Sequence, residues 1–349
     1  MAGRASDAPL SDRLGRPAGV LRLSLTARCN LNCPYCCPDN REPEGLLSDP
    51  ERVRLVAVAA GLGFSTLRLT GGEPLLHPGL PQLVRDLSAL RAVGLREIAM
   101  TSNGQRLTRR LARELREAGL DRLTLSLDGT TAASVARMVA PQASPAQGEH
   151  CLRAVLAALA TARQAGFEPG AGRLKLNAVI VRGRNEDQVV PLAGLARELG
   201  VELRLIEAMD VGSRNGWRPD QVMPAAEMVQ RIGAAWPLEP LGRPQHGTAS
   251  RWRYRDGGGL LAVVASISQP FCGDCNRLRI TANGMAHTCL FASQGTDLRQ
   301  PLRQGPEALS RAIAALWGAR SDRYSEERSE RLRDPATATA HAEMAYLGG

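Results

Sequence analysis

The chain has 349 residues, of which 44% are hydrophobic and 23% are charged. This length suggests about two domains. The composition excludes a disordered chain, which would lack the apolar surface that offsets its ordering entropy. The longest apolar runs, such as residues 260–267, fall far short of the ~20 residues that span a bilayer. The first residues include no apolar signal-peptide core, so we expect a cytoplasmic protein.

The formal net charge is +9 at pH 7, which favours an anionic partner. The aromatic residues (4 Phe, 4 Trp and 4 Tyr) are few and scattered, whereas single-stranded nucleic acid usually needs aromatic stacking platforms. We therefore expect an anionic small molecule, with no nucleic acid and no membrane. Lys175 is the only lysine among 44 basic residues. Either it survives by chance, or its position needs a compact ammonium in place of a planar guanidinium.

Strand-like and helix-like segments alternate after a predicted loose leader at residues 1–19. The candidate strands are 21–26, 66–69, 97–101, 122–126, 174–181 and 202–207. Between them, apolar residues recur at helical spacing in 49–60, 79–92, 108–118, 149–165 and 185–199. This alternation predicts an α/β fold with a parallel sheet. No GxGxxG follows the first strand, so we favour a partial (β/α)6, TIM-like barrel over a dinucleotide-binding fold.

The segment after the barrel reads as a smaller α+β domain. A short helical pattern at residues 224–232 precedes residues 237–250, which are rich in Pro and Gly and are predicted to be a linker. We therefore place the barrel domain at 20–236 and the second domain at 237–349. Two finer predictions are an N-cap at Asp49 and a loop over residues 140–148.

Three cysteines follow the first predicted strand as C-x3-C-x2-C: Cys29, Cys33 and Cys36. Thiolates are the usual ligands of iron–sulfur clusters, whereas a structural zinc ion takes four ligands. Cys37 follows Cys36 directly, which is a poor geometry for a shared metal. Three thiolates therefore indicate an iron–sulfur cluster with one open iron, and a zinc site completed by a distant residue is the alternative.

A second triplet, Cys272, Cys275 and Cys289, forms C-x2-C-x13-C. Zinc is a stronger alternative here, because His287 could be the fourth ligand. Arg277 and Arg279 follow the triplet's first pair and would point the same way on an extended strand. Guanidinium groups match phosphate oxygens. This pattern indicates a phosphorylated ligand beside a metal centre.

The first triplet, with an aromatic residue before its third cysteine, resembles the radical S-adenosylmethionine (SAM) superfamily. Residues 70–74 (TGGEP) resemble its GGEP motif, and residues 126–128 end the fourth strand where the superfamily contacts SAM. The resemblance implies a 4Fe–4S cluster on the first triplet, whose open iron binds SAM. It implies further SAM contacts at Tyr35, Gly72, Ser126 and Met209.

Over residues 20–349 the chain also resembles the family of GTP 3′,8-cyclases, through GGEP, RLIEAM, CNRLRITANG and the closing Gly-Gly. The resemblance implies a lyase that converts GTP to (8S)-3′,8-cyclo-7,8-dihydroguanosine 5′-triphosphate, the first step of molybdenum cofactor biosynthesis. It implies a second 4Fe–4S cluster on Cys272, Cys275 and Cys289, which holds the guanine. The implied GTP contacts are Arg22, Arg68, Thr101, Lys175, Arg277, Leu278 and Arg279.

The same resemblance implies partners and a role for the chain end. The partners are a reductant protein of flavodoxin or ferredoxin type and a downstream cyclic pyranopterin monophosphate synthase, and a homodimer is one compatible assembly. Gly348 and Gly349 would enter the active site and assist catalysis. Terminal glycines alone usually form a solvated end, but the apolar Met344, Tyr346 and Leu347 argue for docking.

Two other functions fit parts of the sequence. One is a radical SAM peptide maturase with an auxiliary cluster, although such enzymes often have more auxiliary cysteines. The other is a zinc-stabilised nucleic-acid-binding protein that uses the net positive charge. An iron-containing brown protein supports the radical enzymes, whereas a colourless zinc protein supports the second alternative.

Overall fold

The structure is a computed structural model that describes residues 10–331 and 342–348. Twelve strands of the described residues form one sheet, in the order β12-β11-β10-β1-β2-β3-β4-β5-β6-β9-β8-β7. The strands are β1 Val20–Ser24, β2 Thr66–Thr70, β3 Glu97–Ser102, β4 Arg122–Ser126, β5 Leu174–Ile180, β6 Glu202–Glu207, β7 Leu238–Gly242, β8 Ser250–Tyr254, β9 Leu260–Val264, β10 Arg277–Ile280, β11 Met285–His287 and β12 Thr296–Asp297.

Helices connect the parallel strands and follow the last ones. They are α1 Asp49–Gly61, α2 Leu80–Ser88, α3 Arg109–Glu117, α4 Ala132–Val139, α5 Pro145–Gln164, α6 Val189–Glu198, α7 Ala225–Ala235, α8 Arg299–Gln304, α9 Pro306–Gly318, α10 Tyr324–Arg331 and α11 Met344–Leu347. Within the described ranges, no helix is both long enough and apolar enough to cross a membrane.

The first six strands pair in chain order and in parallel, which confirms the predicted α/β fold and its six-stranded partial barrel. Each predicted strand lies within two residues of the observed one at both ends. Leu21 and Leu67 are partners on β1 and β2 and are buried in the hydrophobic core with the helices. Their neighbours Arg22 and Arg68, also partners, face the opposite side of the sheet.

The C-terminal strands extend both edges of this sheet. β10 pairs in parallel with β1, and β9 pairs in parallel with β6. The predicted linker over residues 237–250 was wrong in part, because β7 lies inside it and pairs with β8. The segment after residue 237 therefore completes the sheet of the barrel, and the boundary at residue 236 stays a prediction.

The predicted loose leader is also wrong for its second half, since buried side chains anchor residues 10–19 to the fold. Asp12 and Arg16 are buried, and the indole Nε1 of Trp317 donates a hydrogen bond to the carbonyl of Arg16 at 3.3 Å. Residues 1–9 lie outside the described part of the chain. One partner that orders this segment, Trp317 on α9, lies about 300 residues away in sequence.

Two helix starts differ from the prediction. Ser48, not Asp49, is the N-cap of α1, and its backbone N–H donates to the Glu51 carboxylate at 2.8 Å. This reciprocal contact is the capping box. Helix α5 begins at Pro145, inside the predicted loop 140–148, because Ser144 caps it. Helix α4 was not predicted.

We expect Gly148→Ala to destabilise the fold, because α4 and α5 touch at this glycine. A Cβ at Gly148 would collide with the carbonyl oxygen of Ala132 and lie 2.9 Å from the Cβ of Ala136. Overpacking of this kind costs about 1–3 kcal/mol, measurable by chemical denaturation. Gly233→Ala in α7 is the matched control, since its Cβ would meet no atom within 4 Å. The control should gain up to ~1 kcal/mol from helix propensity, and equal stability of both variants would contradict the close packing.

Candidate active site

A first cavity of about 180 Å³ lies at the C-terminal ends of the parallel strands, where barrel enzymes place their chemistry. All three thiols of the first triplet line this cavity. So do the four residues predicted to bind SAM, which are Tyr35, Gly72, Ser126 and Met209. The structure therefore brings the predicted residues of this site together.

The glycine pair before Glu73 lets β2 approach the loop that precedes Cys29. The N–H of Gly72 donates to the carbonyl of Thr26 at 2.7 Å, and the N–H of Glu73 donates to the carbonyl of Arg28 at 2.8 Å. A Cβ at Gly72 would collide with that Arg28 carbonyl. The motif thus fixes the cysteine loop against the end of β2, which only glycine permits.

The Glu73 side chain ties the ends of β2 and β3 together. Its carboxylate accepts hydrogen bonds from Ser102 Oγ at 2.8 Å and from the backbone N–H groups of Asn103 and Leu75 at 2.7 and 2.9 Å. Burial raises its pKa to about 7, although these hydrogen bonds favour the ionised form. Asn103 Nδ2 lies 3.8 Å from the Sγ of Cys29, so the hydrogen-bond network around Glu73 extends to the first triplet.

The loop that carries the first triplet is anchored at Tyr35. The Tyr35 hydroxyl donates to Asp128 Oδ2 at 2.8 Å, and Asp128 Oδ1 accepts from the backbone N–H of Val179 at 2.8 Å. The thiol of Cys37 donates instead to the carbonyl of Pro34 at 3.2 Å, and Cys37 is not among the residues that line the cavity. Cys37 is therefore set apart from the three thiols of the motif.

A second cavity of about 160 Å³ contains the thiols of Cys272, Cys275 and Cys289. Five of the residues predicted to bind GTP line it as well, namely Arg22, Arg68, Thr101, Arg277 and Arg279. Other lining residues were not predicted from the sequence, among them Asn177, Arg204, Phe271 and Arg320. Of these, Asn177 could have been found, because it lies two positions after Lys175 and thus on the same face of β5.

Two predicted GTP contacts are placed differently. The Leu278 side chain is fully buried in the hydrophobic core, so only its main chain remains available to a ligand. Lys175 is not among the residues that line either cavity. Its Nζ donates to Glu202 Oε2 at 2.8 Å, while Arg204 Nε donates to Glu202 Oε1 at 2.8 Å. The lone lysine therefore shares a buried carboxylate with an arginine.

Positive charge is concentrated in the second cavity. Burial and, to a smaller extent, the nearby Arg122 and Arg204 lower the pKa of Arg68 to about 9. Burial and the neighbouring Arg277 lower the pKa of Arg279 to about 10. Since guanidinium groups stay charged in proteins, an anionic ligand in this cavity would neutralise charges that otherwise repel one another.

The two cavities adjoin along a common wall formed by Thr101, Asn177, Ile206 and Met209. In the described part of the chain, Thr101 Oγ1 and Asn177 Oδ1 are buried and have no hydrogen-bond partner. Buried polar atoms normally have a partner. The wall thus offers a hydroxyl group from β3 and an amide oxygen acceptor from β5 to a ligand that spans both cavities.

The chain end reaches this region. The carbonyl oxygen of Gly348 accepts hydrogen bonds from Arg22 Nε at 2.9 Å and from Arg279 Nη1 at 3.2 Å. Gly348 has φ 65°, and a Cβ there would collide with the side chain of Thr70. Gly348 thus lies beside two of the arginines that were predicted to bind GTP, while Gly349 lies outside the described residues.

The donor sets fit iron–sulfur clusters. Across the described ranges, no group of three or more His, Cys, Asp or Glu side chains is placed to hold a single metal ion. Instead, each cavity is lined by three thiols, and thiolates are the ligands of such clusters. His287, the fourth ligand of the zinc alternative, is not among the residues that line the second cavity; its Nε2 lies close to Gly295.

Comparison with known protein families divides the chain in two. The Radical SAM superfamily matches residues 23–196, and Molybdenum Cofactor Synthesis C matches residues 201–326. The first range contains the first cysteine triplet and the GGEP motif, and the second contains the other triplet.

Similar proteins cover nearly the whole chain. The chain is 58% identical over 348 residues to a GTP 3′,8-cyclase of Synechococcus sp. (strain CC9605), covering 98% of this chain and 99% of that protein. It is 45% identical over 354 residues to a GTP 3′,8-cyclase of Xanthomonas campestris pv. campestris (strain B100), covering 99% and 98%. Among solved structures, Streptococcus suis SuiB bound to S-adenosylmethionine has the same fold, with a TM-score of 0.59 at 15% identity, covering 92% of this chain and 71% of that chain.

We expect Glu202→Gln to destabilise the protein by about 3–5 kcal/mol at pH 7, because it leaves Lys175 and Arg204 buried without their shared carboxylate. Burial raises the pKa of Glu202, but Arg204 and Lys175 outweigh it and hold the pKa at about 2. The stabilisation is therefore present above the ordinary value of 4.5 and is lost as the pH falls towards 2.

Chemical denaturation of both proteins between pH 7 and pH 3 measures this difference. Glu239→Gln on β7 is the matched control, since the Glu239 carboxylate is half exposed and lies 3.5 Å from Arg253. Such surface pairs contribute at most about 1 kcal/mol. If both variants lost the same small amount of unfolding free energy, the Glu202 carboxylate would not stabilise the buried charges of Lys175 and Arg204.

Proposed function

The chain belongs to the GTP 3′,8-cyclase family of radical SAM enzymes, and from that premise we propose how its two cavities divide the reaction. It is an enzyme of molybdenum cofactor biosynthesis that uses SAM and 4Fe–4S clusters. Its substrate is GTP, which it cyclises between C3′ of the ribose and C8 of the guanine. We assign SAM to the first cavity and GTP to the second.

One observation carries this assignment. Each set of three thiols lines its own cavity, and the two cavities share the wall of Thr101, Asn177, Ile206 and Met209. A radical reaction between two substrates requires that they meet without water between them. The shared wall supplies such a meeting point, and two of its four residues are apolar.

In the first cavity, Cys29, Cys33 and Cys36 would hold the first cluster. When bound, that cluster supplies the electron for the reductive cleavage of SAM. The protein's part is to position SAM: Gly72 presents its backbone at the end of β2, and Ser126, at the end of β4, lines the same cavity. Met209 contributes an apolar contact from the wall between the two cavities.

In the second cavity, Cys272, Cys275 and Cys289 would hold the second cluster beside the guanine. Arg22, Arg68, Arg277 and Arg279 surround the triphosphate, for which guanidinium groups are well suited. Thr101 Oγ1 and Asn177 Oδ1 hydrogen-bond the ribose at the shared wall, where the C3′ hydrogen faces the first cavity. Lys175 pairs with Glu202, which supports a role for Lys175 in balancing charge near the triphosphate.

The two alternatives are not favoured. The relatives that cover nearly the full chain are named GTP 3′,8-cyclases, whereas the likeness to SuiB at 15% identity concerns the fold alone. The zinc-stabilised nucleic-acid binder needs a fourth ligand, and His287 does not line the cavity of the second triplet.

The reaction also requires other proteins. Reductive cleavage of SAM consumes an electron, for which we infer a donor of flavodoxin or ferredoxin type. The cyclised nucleotide is then the substrate of a cyclic pyranopterin monophosphate synthase. Assembly as a homodimer remains an expectation from the resemblance.

Anaerobic incubation of the reconstituted protein with SAM, GTP and dithionite tests the function. We expect a nucleotide product that is an isomer of GTP and is separated from it by chromatography, because the hydrogen lost from C3′ is replaced by an electron and a proton; 5′-deoxyadenosine and methionine form with it. GTP recovered unchanged while SAM is cleaved would reject GTP as the substrate.

The chain end completes the GTP site in this proposal. Two loops hold the chain end in place. The Tyr346 hydroxyl donates to the Asp39 carboxylate at 2.9 Å, and the backbone N–H of Ser213 donates to the Glu343 carboxylate at 3.0 Å. These contacts direct Gly348 to Arg22 and Arg279. Gly348 and Gly349 would thus assist catalysis by ordering the arginines around the nucleotide.

We expect the two cysteine sets to have separable functions. Alanine at Cys29, Cys33 or Cys36 should abolish SAM cleavage, because this set lines the SAM cavity. Alanine at Cys272, Cys275 or Cys289 should preserve uncoupled SAM cleavage while cyclisation is lost. Chromatography of 5′-deoxyadenosine and of the nucleotide measures both reactions.

Cys37→Ala is the matched control for this experiment, since Cys37 lies in the same loop but its thiol donates to the Pro34 carbonyl. The control should keep both reactions. Equal SAM cleavage by variants of both sets would refute the proposed division.

We expect Gly348→Ala to reduce cyclisation at least tenfold while the iron content and SAM cleavage are retained. A Cβ at this position collides with Thr70, and φ 65° disfavours a side chain. Gly170→Ala is the control, because its Cβ would meet no atom within 4 Å. Wild-type cyclisation by Gly348→Ala would show that the chain end has no part in the reaction.

A further inference from the structure

Residues 11–17 form a turn beside the second cysteine triplet. Ser11 and Pro17 pair as an antiparallel bridge, and Gly15 in the turn has φ 73°. Asp12 Oδ1 accepts hydrogen bonds from the backbone N–H groups of Leu14 and Arg16, both at 2.9 Å. This geometry shapes the turn and places the Asp12 carboxylate in the interior, where the residue is 7% exposed.

Arg16 connects this turn to the loop of Cys272. Its Nε donates to Asp12 Oδ2, and its Nη1 donates to the carbonyl oxygens of Cys272 and Asp322, both at 2.8 Å. Only 2% of Arg16 is exposed. The buried guanidinium therefore has its charge balanced by Asp12 while it holds the main chain at Cys272.

Arg320 makes the corresponding contact at the second cysteine of the pair. Its Nη1 donates to the carbonyl of Cys275 at 2.6 Å and also lies 3.4 Å from Asp12 Oδ2. Its guanidinium lies 4.7 Å from the ring centroid of Trp317, whose indole bonds the carbonyl of Arg16. One buried carboxylate thus orients two guanidiniums, and each of them binds the carbonyl of one cysteine in C-x2-C.

We propose that Asp12, Arg16 and Arg320 form a carbonyl clamp that positions Cys272 and Cys275 as ligands of the second cluster. This inference rests on the proposed function of the second triplet. The three are positioning residues in this role, acting through the cysteine main chain. Buried charge-assisted hydrogen bonds are strong and directional, so they fix the loop that sets where the open iron meets GTP.

The clamp acts on the second triplet selectively. The first triplet is held by its own loop, where the backbone N–H of Cys29 donates to Asn40 Oδ1 at 2.9 Å and Cys36 N–H donates to the carbonyl of Cys33 at 2.9 Å. None of these contacts involves residues 11–17. Loss of the clamp should therefore leave the first cluster in place.

The test is Asp12→Asn in the full chain, reconstituted anaerobically with iron and sulfide. We expect the iron content to fall from about eight to about four per chain, with loss of the electron paramagnetic resonance signal of one reduced cluster. Uncoupled SAM cleavage should persist and cyclisation should be lost. Arg13→Ala is the control, because Arg13 lies in the same turn with an exposed side chain and should keep about eight irons.

A second variant, Arg16→Lys, keeps the charge beside Asp12 but lacks the fork that reaches Asp12 and Cys272 together. It should retain the first cluster and shift or broaden the signal of the second. Full iron content and unchanged signals in both variants would overturn the clamp, as would equal loss of both clusters in both variants. A triple Cys272→Ala, Cys275→Ala, Cys289→Ala variant that also kept eight irons would instead reject the proposed second cluster.

Discussion

Buried positive charge on one face of the parallel sheet is the constraint on which the rest of the structure depends. Leucines of β1 and β2 pack into the core with the helices, and the alternate positions direct Arg22 and Arg68 into the second cavity. Isolated buried charges are costly, so acceptors must be supplied nearby. Glu202 serves Lys175 and Arg204 in this way. A nucleoside triphosphate fits the same constraint, because it carries several negative charges into the place where guanidiniums converge.

At the end of the chain, a neutral carbonyl group is the acceptor for two of the buried arginines. The Gly348 carbonyl lies between Arg22 and Arg279, which belong to strands from opposite ends of the sequence. Tyr346 meanwhile donates a hydrogen bond to Asp39. Asp39 lies three residues after Cys36, the last cysteine of the first triplet. The tail thus contacts the segments behind both cysteine sets. A displacement of either segment would change the contacts of residues 342–348. These seven residues can therefore affect both sites.

The sequence predicted the elements whose information is local. Strand-like runs alternating with helix-like runs predicted the six parallel strands within two residues, and the position of each motif at a strand end predicted the first cavity. Contacts between distant segments escaped this reasoning. Residues 10–19 looked like a loose leader because Trp317 and Arg320, which order them, lie some 300 positions away. The resemblance named Lys175 as a GTP contact but could not give its depth, and one strand repeat separates it from Asn177 at the cavity wall.

The topology explains why the second triplet faces the first. β9 pairs with β6 at one edge of the parallel strands, and β10 pairs with β1 at the other edge. Residues 265–276, which include Cys272 and Cys275, must therefore cross the open side of the barrel from edge to edge. A chain of this length spans at most about 40 Å at roughly 3.3–3.6 Å per residue, and Phe271, Cys272 and Cys275 within it line the second cavity. Main-chain carbonyls outside the strands need hydrogen-bond partners, and Arg16 and Arg320 donate to those of Cys272 and Cys275.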